Sequence, residues 1–466
     1  MSKSVKWAQV FVLSLIVGLV GFSSSHAQVP ITTTIVCSTA ATCSPLVPTA
    51  VAATLRRPTT SVLGKTNVGI FIMHPSSSYT NFAACTALAQ RGYTTLCANG
   101  PFNGNQFGHY GYEQHSLAIA GGLNYLRQTV SGPAITKALI FGHSMGAPMM
   151  AFYQNVAENG AQICQGPEKL LPCVGTNLQN LPKADGVMLF DAHLGDALAT
   201  YTYEDPAVIN NTLGLRDASL DMFDPVNGYN IATDGATYTT AFKKRYLAAQ
   251  AVRNQDLISQ ALALLQARRA STGNPNDLGD AIPFTIVGAN DARLWQPDVS
   301  LVNCTRNPRM LLSHDGTRPV QKVCSVRLPS GGRNDGLTSA STLNLNVHTF
   351  LGAHALRTNG RYSQTIDDIL NIDYESSATA TVSNVKGIRV PLLIVANGAH
   401  YFLAPDETVF ENAISSDKTY VIEEGAVHGG TPCTACATAL GLPSGFFGDT
   451  AGRTYDFMAE WLGARY

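Results

Sequence analysis

The segment Gly142-His143-Ser144-Met145-Gly146 follows an apolar run, Ala138 to Phe141, and precedes a helix-compatible stretch, Pro148 to Val156. A serine flanked by glycines two residues away on each side, at a strand-to-helix turn, is placed to act as a nucleophile. The turn is sharp, and Gly142 and Gly146 remove side chains that would collide across it. The hydroxyl is lifted above the sheet, to the N-terminus of the next helix. There, free amides and the helix dipole favour developing negative charge. A serine hydroxyl is a weak nucleophile until a base takes its proton, so the pattern demands partners elsewhere in the chain.

The surrounding elements supply the frame such a turn needs. Val68 to Met73 is apolar and β-branched, which suits a buried parallel strand. Asn81 to Gln90 reads as a helix ended by Gly92, Tyr93 to Cys97 as a strand, and Gln114 to Arg127 as a helix with Leu117, Ala120, Leu123 and Leu126 at helical spacing. After the serine turn and its helix, Gly186 to Phe190 is a further strand. The alternation then lapses from about Gly195 to Val385. That stretch holds a helical piece, Thr239 to Arg269, strand-like pieces near Phe284 to Val287 and Val320 to Val326, and turn-rich segments. The pattern resumes with a strand at Pro391 to Ala396, a helix at Asp406 to Ile414 and a last strand at Lys418 to Glu423. Strand–helix alternation predicts a mostly parallel sheet with helices on both faces.

With these elements in place, the chain resembles the α/β-hydrolase fold superfamily, of the serine esterase or lipase kind, with a large cap insertion. The resemblance rests on Gly142-His143-Ser144-Met145-Gly146, His74-Pro75 after a strand, and Val427-His428-Gly429 after the last strand. It covers about 68–195 and 389–461. It implies an α/β-hydrolase fold with Ser144 as nucleophile and the base just after the last strand, where His428 stands in a loop loosened by Gly425, Gly429 and Gly430. His143 is read as structural. His109, His115, His193, His348 and His354 are read as pocket lining or surface. His400 follows a strand, but one strand too early.

The acid must hold the imidazole in one tautomer and stabilise its charged form. The family's usual loop reads Asn397-Gly398-Ala399-His400-Tyr401-Phe402-Leu403-Ala404-Pro405 and contains no carboxylate. Asp406 and Glu407 follow it, where acidic residues begin helices. The alternative position ends the strand after the nucleophile helix, as in haloalkane dehalogenases, and there Asp191 is the first choice. Asp196, Asp291 and Asp406 stand in reserve. The oxyanion needs two backbone N–H donors. The resemblance implies Met145 for one. The loop His74-Pro75-Ser76-Ser77-Ser78 offers the other; Pro75 has no N–H, which leaves Ser76 first and Ser77 next.

The expected reaction is hydrolysis of a carboxylic ester or related acyl bond, through an acyl-Ser144 intermediate, on a small-molecule or polymeric ester. Acyl transfer on the same residues, or a non-catalytic ligand-binding role, are the alternatives. Halide displacement is disfavoured, because that chemistry needs an aspartate where this chain has Ser144. No cofactor and no metal site is implied.

The chain of 466 residues is 45% hydrophobic and 14% charged, with a formal net charge of -1. No dense Lys/Arg run or nucleic-acid motif is present, so no field is set up for nucleic acid or anionic lipid. Lys3 and Lys6 precede an apolar run, Val10 to Phe22, and Ser25-His26-Ala27 forms a small-x-small site. This is the pattern of a secretory signal. It implies a secreted or periplasmic protein with no membrane span once the signal is removed. The 10 cysteines form sequence-local pairs: Cys37 with Cys43, Cys85 with Cys97, Cys164 with Cys173, Cys304 with Cys324, and Cys433 with Cys436. In an oxidising compartment such pairs become disulfides. The expected divisions are a signal at 1–27, a loose N-terminal arm at 28–60, core segments at 61–195 and 387–466, and a cap at 196–386.

Overall fold

The computed structural model describes residues 28–37, 52–100, 112–128, 130, 132–290, 293–331 and 341–466. The signal expected at 1–27, the Cys37–Cys43 pairing, His109 and Asp291 lie outside the described residues or rest on ones that do.

One ten-stranded sheet organises the chain. Its strands are β1 (Ile31–Cys37), β2 (Ala53–Pro58), β3 (Val68–Met73), β4 (Thr94–Ala98), β5 (Lys137–His143), β6 (Gly186–Phe190), β7 (Arg309–Leu312), β8 (Val320–Gln321), β9 (Leu392–Asn397) and β10 (Lys418–Glu423). Their spatial order is β1-β2-β4-β3-β5-β6-β9-β10-β7-β8. The strands from β4 across to β7 are parallel. β2 joins antiparallel to β4, β1 to β2, and β8 to β7. This is the mostly parallel α/β architecture that the alternation predicts.

The parallel strands are apolar throughout because both faces are covered. On one face Ile70, Ile72, Leu139, Phe141, Met188, Leu393 and Val421 pack with Cys85 and Leu88 of helix α1 (Ala83–Gln90), and with Met458 and Leu462 of a C-terminal helix, Thr450–Gly463. On the other, Phe71, Met73, Ile140, Val187, Leu189 and Ile394 pack with Ile119 and Leu123 of α2 (Tyr112–Gln128) and with Met149 and Tyr153 of α3 (Gly146–Asn159). Neighbours in a strand point to opposite faces, so each strand divides its residues between the two layers. Each fully buried large apolar side chain contributes about 1.5–3 kcal/mol.

Two expectations need correction. Two described stretches of the arm expected at 28–60 are strands of the sheet rather than loose chain. Ile31–Cys37 and Ala53–Pro58 form the antiparallel edge of the sheet, paired from Ile31 with Pro58 to Cys37 with Ala53. The segment 196–386 is not wholly outside the sheet either. Met310, Leu311 and Leu312 pair in parallel with Val421, Ile422 and Glu423. Arg309 is fixed there by ion pairs from its Nε to Glu407 at 2.6 Å and from its Nη2 to Glu411 at 2.7 Å.

The rest of that segment contains the long helix α4 (Thr240–Thr272), which starts where the Thr239 side chain accepts the Phe242 N–H and stops at Gly273 in the left-handed region. It also contains the strand pairs Pro283–Val287 with Thr342–Asn346 and Arg357–Gln364 with Ile369–Asp373. Four disulfides join Cys85 to Cys97, Cys164 to Cys173, Cys304 to Cys324 and Cys433 to Cys436, as sequence proximity predicts. Among the described residues, no helix is long and apolar enough to cross a membrane.

Candidate active site

Three loops leaving the carboxyl ends of β5, β6 and β10 converge, the position at which open α/β sheets place their ligands. β5 delivers Ser144. Its φ of 55° lies in the left-handed region, a costly conformation for a residue with a side chain. The turn is held from several sides. The Ser144 N–H donates to the Phe190 carbonyl at 3.1 Å. A Cβ on Gly142 would stand 2.3 Å from the Gly146 carbonyl oxygen, and one on Gly146 would stand 2.8 Å from that of Met73. Only glycine fits at either position.

β6 delivers Asp191, fully buried and also left-handed, with a φ of 45°. β10 delivers His428 through a loop in which Gly425 has a φ of 69° and Gly430 a φ of 81°. The structure brings these three residues together. His428 Nε2 lies 2.9 Å from Ser144 Oγ, and His428 Nδ1 lies 2.5 Å from Asp191 Oδ2. Burial alone would push the Asp191 carboxyl up. Contact with His400, and then with His428, outweighs burial and holds it well below the usual carboxylate range.

His428 is anchored through its own backbone. The His428 carbonyl accepts hydrogen bonds from His143 Nε2 at 2.7 Å and from Asn397 Nδ2 at 3.2 Å. A carbonyl only accepts, so His143 carries its proton on Nε2, and its Nδ1 accepts a hydrogen bond from the Tyr79 hydroxyl at 2.7 Å. Burial, with the nearby His428, pushes His143 down to about 3, so it stays neutral. His143 is thus structural, as its place inside the turn suggests.

His400 enters the site unforeseen. Its ring stacks on that of His428 with centroids 4.4 Å apart, and its Nδ1 lies 2.9 Å from Asp191 Oδ2, the oxygen that His428 already uses. The 2.9 Å approach is a close polar contact rather than a well-aligned hydrogen bond, since His400 Nδ1 has no partner of good geometry. The signal was the missing carboxylate in the loop after β9. The loop supplies Asn397 and His400 to Asp191 and His428 instead.

The reserve acids lie elsewhere. Asp196 accepts the Tyr112 hydroxyl, and burial raises it to about 7. Asp406 is buried, and its carboxyl is raised well above the ordinary value, first by burial and then by the charge of Asp191. Met145 caps the N-terminus of α3, where backbone N–H groups lack intrahelical acceptors. The Ser76 N–H instead donates to His74 Nδ1 at 3.2 Å, so it is not free in this structure. Burial, followed by the neighbouring His428 and His115, pushes His74 down to about 3. Of the remaining histidines, His348 pairs with Asp280 at 2.7 Å, away from the site, while His354 is buried against Thr200. Among the described residues, the one His/Asp group spaced for a metal is His143, Asp191 and His428. Its ring nitrogens are already engaged in the hydrogen bonds above.

No protein-family model matches this chain, and no curated protein does. Solved structures of esterases and lipases are similar in fold over most of it. Brefeldin A esterase, a bacterial homologue of human hormone sensitive lipase, is 11% identical, covering 98% of this chain and 81% of its own, with a TM-score of 0.40. A monoacylglycerol lipase from Paleococcus ferrophilus is 12% identical, covering 89% and 99%, with a TM-score of 0.35. Est1E from Butyrivibrio proteoclasticus is 10% identical, covering 89% and 96%, with a TM-score of 0.34.

Proposed function

We propose that this protein is a secreted serine hydrolase that cleaves a carboxylic ester or related acyl bond through an acyl-Ser144 intermediate. The observation that carries the reading is His428, whose two ring nitrogens lie 2.9 Å from Ser144 Oγ and 2.5 Å from Asp191 Oδ2. In this reading His428 Nε2 takes the Ser144 proton as Oγ attacks the carbonyl carbon. The resulting imidazolium is stabilised by Asp191, which stays ionised. His428 then returns the proton to the departing alcohol oxygen. Water repeats the cycle on the acyl-serine, releases the acid and restores Ser144.

The oxyanion needs donors that are idle in the resting site. Met145 offers one at the start of α3. For Ser76 to offer the second, its N–H must leave His74 Nδ1. Ser77 is the other donor in this loop. The four disulfides suit an oxidising compartment, which together with the N-terminal signal pattern supports export.

The test is labelling of the purified protein with a neutral fluorophosphonate and mapping of the adduct by mass spectrometry. The expected result is a single adduct on Ser144, abolished in His428→Ala. A folded protein that takes up no label would refute an activated nucleophile.

A further inference from the structure

A small cavity borders this site and is lined by hydrogen-bond donors that lack acceptors. It measures about 220 Å³ when the space open to solvent at its mouth is included, of which about 10 Å³, room for one water-sized group such as a single carboxylate oxygen, is free inside; it is lined by His193, Leu198, Arg293, Trp295 and Phe402, among others. Phe402 places it beside the base, since its ring lies 5.7 Å from that of His428 and 4.7 Å from that of His400. Arg293 is 4% exposed. Its Nε donates to Thr202 Oγ1 at 3.1 Å, but its Nη1 is buried without an acceptor among the described residues. His193 Nδ1 accepts the Gly195 N–H at 3.1 Å, so the ring proton of the neutral form sits on Nε2. That Nε2 and Trp295 Nε1 are likewise buried without hydrogen-bond partners. The nearest carboxylate oxygen to His193 Nε2, Asp196 Oδ1, is 3.7 Å away, too far for a hydrogen bond.

The charge is as unbalanced as the hydrogen bonding. No carboxylate among the described residues forms an ion pair with Arg293. Aromatic rings surround it instead, with Tyr203 3.8 Å, Tyr401 5.3 Å and Phe402 5.6 Å from the guanidinium carbon. Such rings attract a cation but accept no N–H in the plane of the guanidinium. The Tyr401 hydroxyl is a polar neighbour of the guanidinium but does not neutralise it, because burial raises that hydroxyl and keeps it protonated. A buried charge with unmet donors is costly unless something of opposite charge arrives. The planar guanidinium fork matches a carboxylate.

We propose that this cavity is a carboxylate subsite, and that the substrate is an ester that also carries a free carboxylate. The second half of this inference rests on the serine-hydrolase reading. Arg293 provides the charge, and His193 Nε2 and Trp295 Nε1 provide further donors. The reaction is unchanged: water adds across the ester, giving acid and alcohol, while the distal carboxylate is only held.

The experiment uses two substrate pairs that differ in one free carboxylate. Monoethyl adipate is compared with diethyl adipate, and 6-acetoxyhexanoate with its ethyl ester, so that either side of the ester is probed. The wild-type protein is expected to prefer the acid in at least one pair by roughly tenfold or more in kcat/KM. Arg293→Met abolishes that preference, and Arg293→Lys keeps part of it. Equal or better hydrolysis of the neutral ester in both pairs by the wild type overturns the proposal, as does a preference that survives Arg293→Met. Should Arg293→Met fail to fold, the wild-type ratios and Arg293→Lys decide. Calorimetric titration with adipate separates this inference from the reaction reading. Ser144 labelling without carboxylate preference or adipate binding leaves the hydrolase and removes the subsite. Adipate binding that depends on Arg293, without Ser144 labelling, keeps the subsite and removes the reaction.

Discussion

Replacing Asp191 by asparagine keeps the shape of the site and removes one charge. On the proposed mechanism His428 becomes an imidazolium whose charge centre lies ~4 Å from the carboxylate, and two such charges attract by about 4 kcal/mol at an effective dielectric of ~20. Losing that attraction slows the reaction roughly 10³-fold. The ground state loses little by comparison, because Ser144, His428 and the loop anchors at His143 and Asn397 are untouched. Asp406 is the neighbouring carboxyl that would have to substitute. Burial is the larger cause of its raised pKa, and burial remains when the Asp191 charge is gone, so Asp406 stays protonated and gives no rescue. The assay is kcat/KM on an activated ester together with the rate of fluorophosphonate labelling, normalised to folded protein by thermal melting. A variant that melts normally and retains activity within about tenfold of wild type would refute the reasoning, and the acid would have to be sought at Asp196 or Asp406.

Other outcomes follow from the same geometry. Gly142→Ala places a methyl group 2.3 Å from the Gly146 carbonyl oxygen and is expected to cost about 3 kcal/mol or more of stability, read as a drop in denaturation midpoint; an unchanged midpoint would mean that the turn relaxes freely. Removing the Cys85–Cys97 disulfide by a double alanine substitution frees a loop spanning 12 residues of sequence separation and should cost about 3 kcal/mol in the same assay. Glu204 is buried with both oxygens unpaired, and burial, only partly offset by Arg253, raises it to about 8. Its folded pKa therefore lies above the unfolded value, so its contribution to stability is full below about pH 4.5 and falls as pH rises towards about 8. Glu204→Gln should flatten the dependence of melting temperature on pH across that window. Parallel profiles for variant and wild type would count against a proton held on Glu204.

What the sequence made legible was whatever is encoded locally. Val68–Met73 and Gly186–Phe190 are apolar runs buried throughout, Lys418–Glu423 carries a buried Tyr420-Val421-Ile422 centre, and the observed ends of all three coincide with the predicted ones. The Ser144 turn announces itself through two glycines that no other residue could replace. Elements stabilised from afar were not legible. Ile31–Cys37 is rich in threonine and largely exposed; it reads as a loose arm until its partner Ala53–Pro58 is known. Arg309–Leu312 is a four-residue strand whose place depends on β10 and on Glu407, both about a hundred residues later. Asp191 could be chosen over its rivals only through a resemblance. The approach of His400 to Asp191 joins residues 209 apart, and no pattern within either segment encodes it. Ser76 shows a different gap, since the order of residues in its loop does not reveal that His74, two residues earlier, accepts its N–H.

The order of the strands in space also sets an order in time. β6 is made early, but its partner on one side is β9, so its edge waits for about two hundred further residues of synthesis. Gly186–Phe190 is wholly apolar and buried on both faces in the finished protein. Until residues 392–397 arrive, it is a bare hydrophobic strand edge, the kind of surface on which chains pair with one another. The growing chain therefore passes through a long stretch of vulnerability that ends only when the segment from residue 392 onward docks. Those same residues bring His428 to Ser144, so completion of the sheet and assembly of the site coincide. A chain truncated inside the insertion would lack the His428–Ser144 pairing and be prone to aggregate.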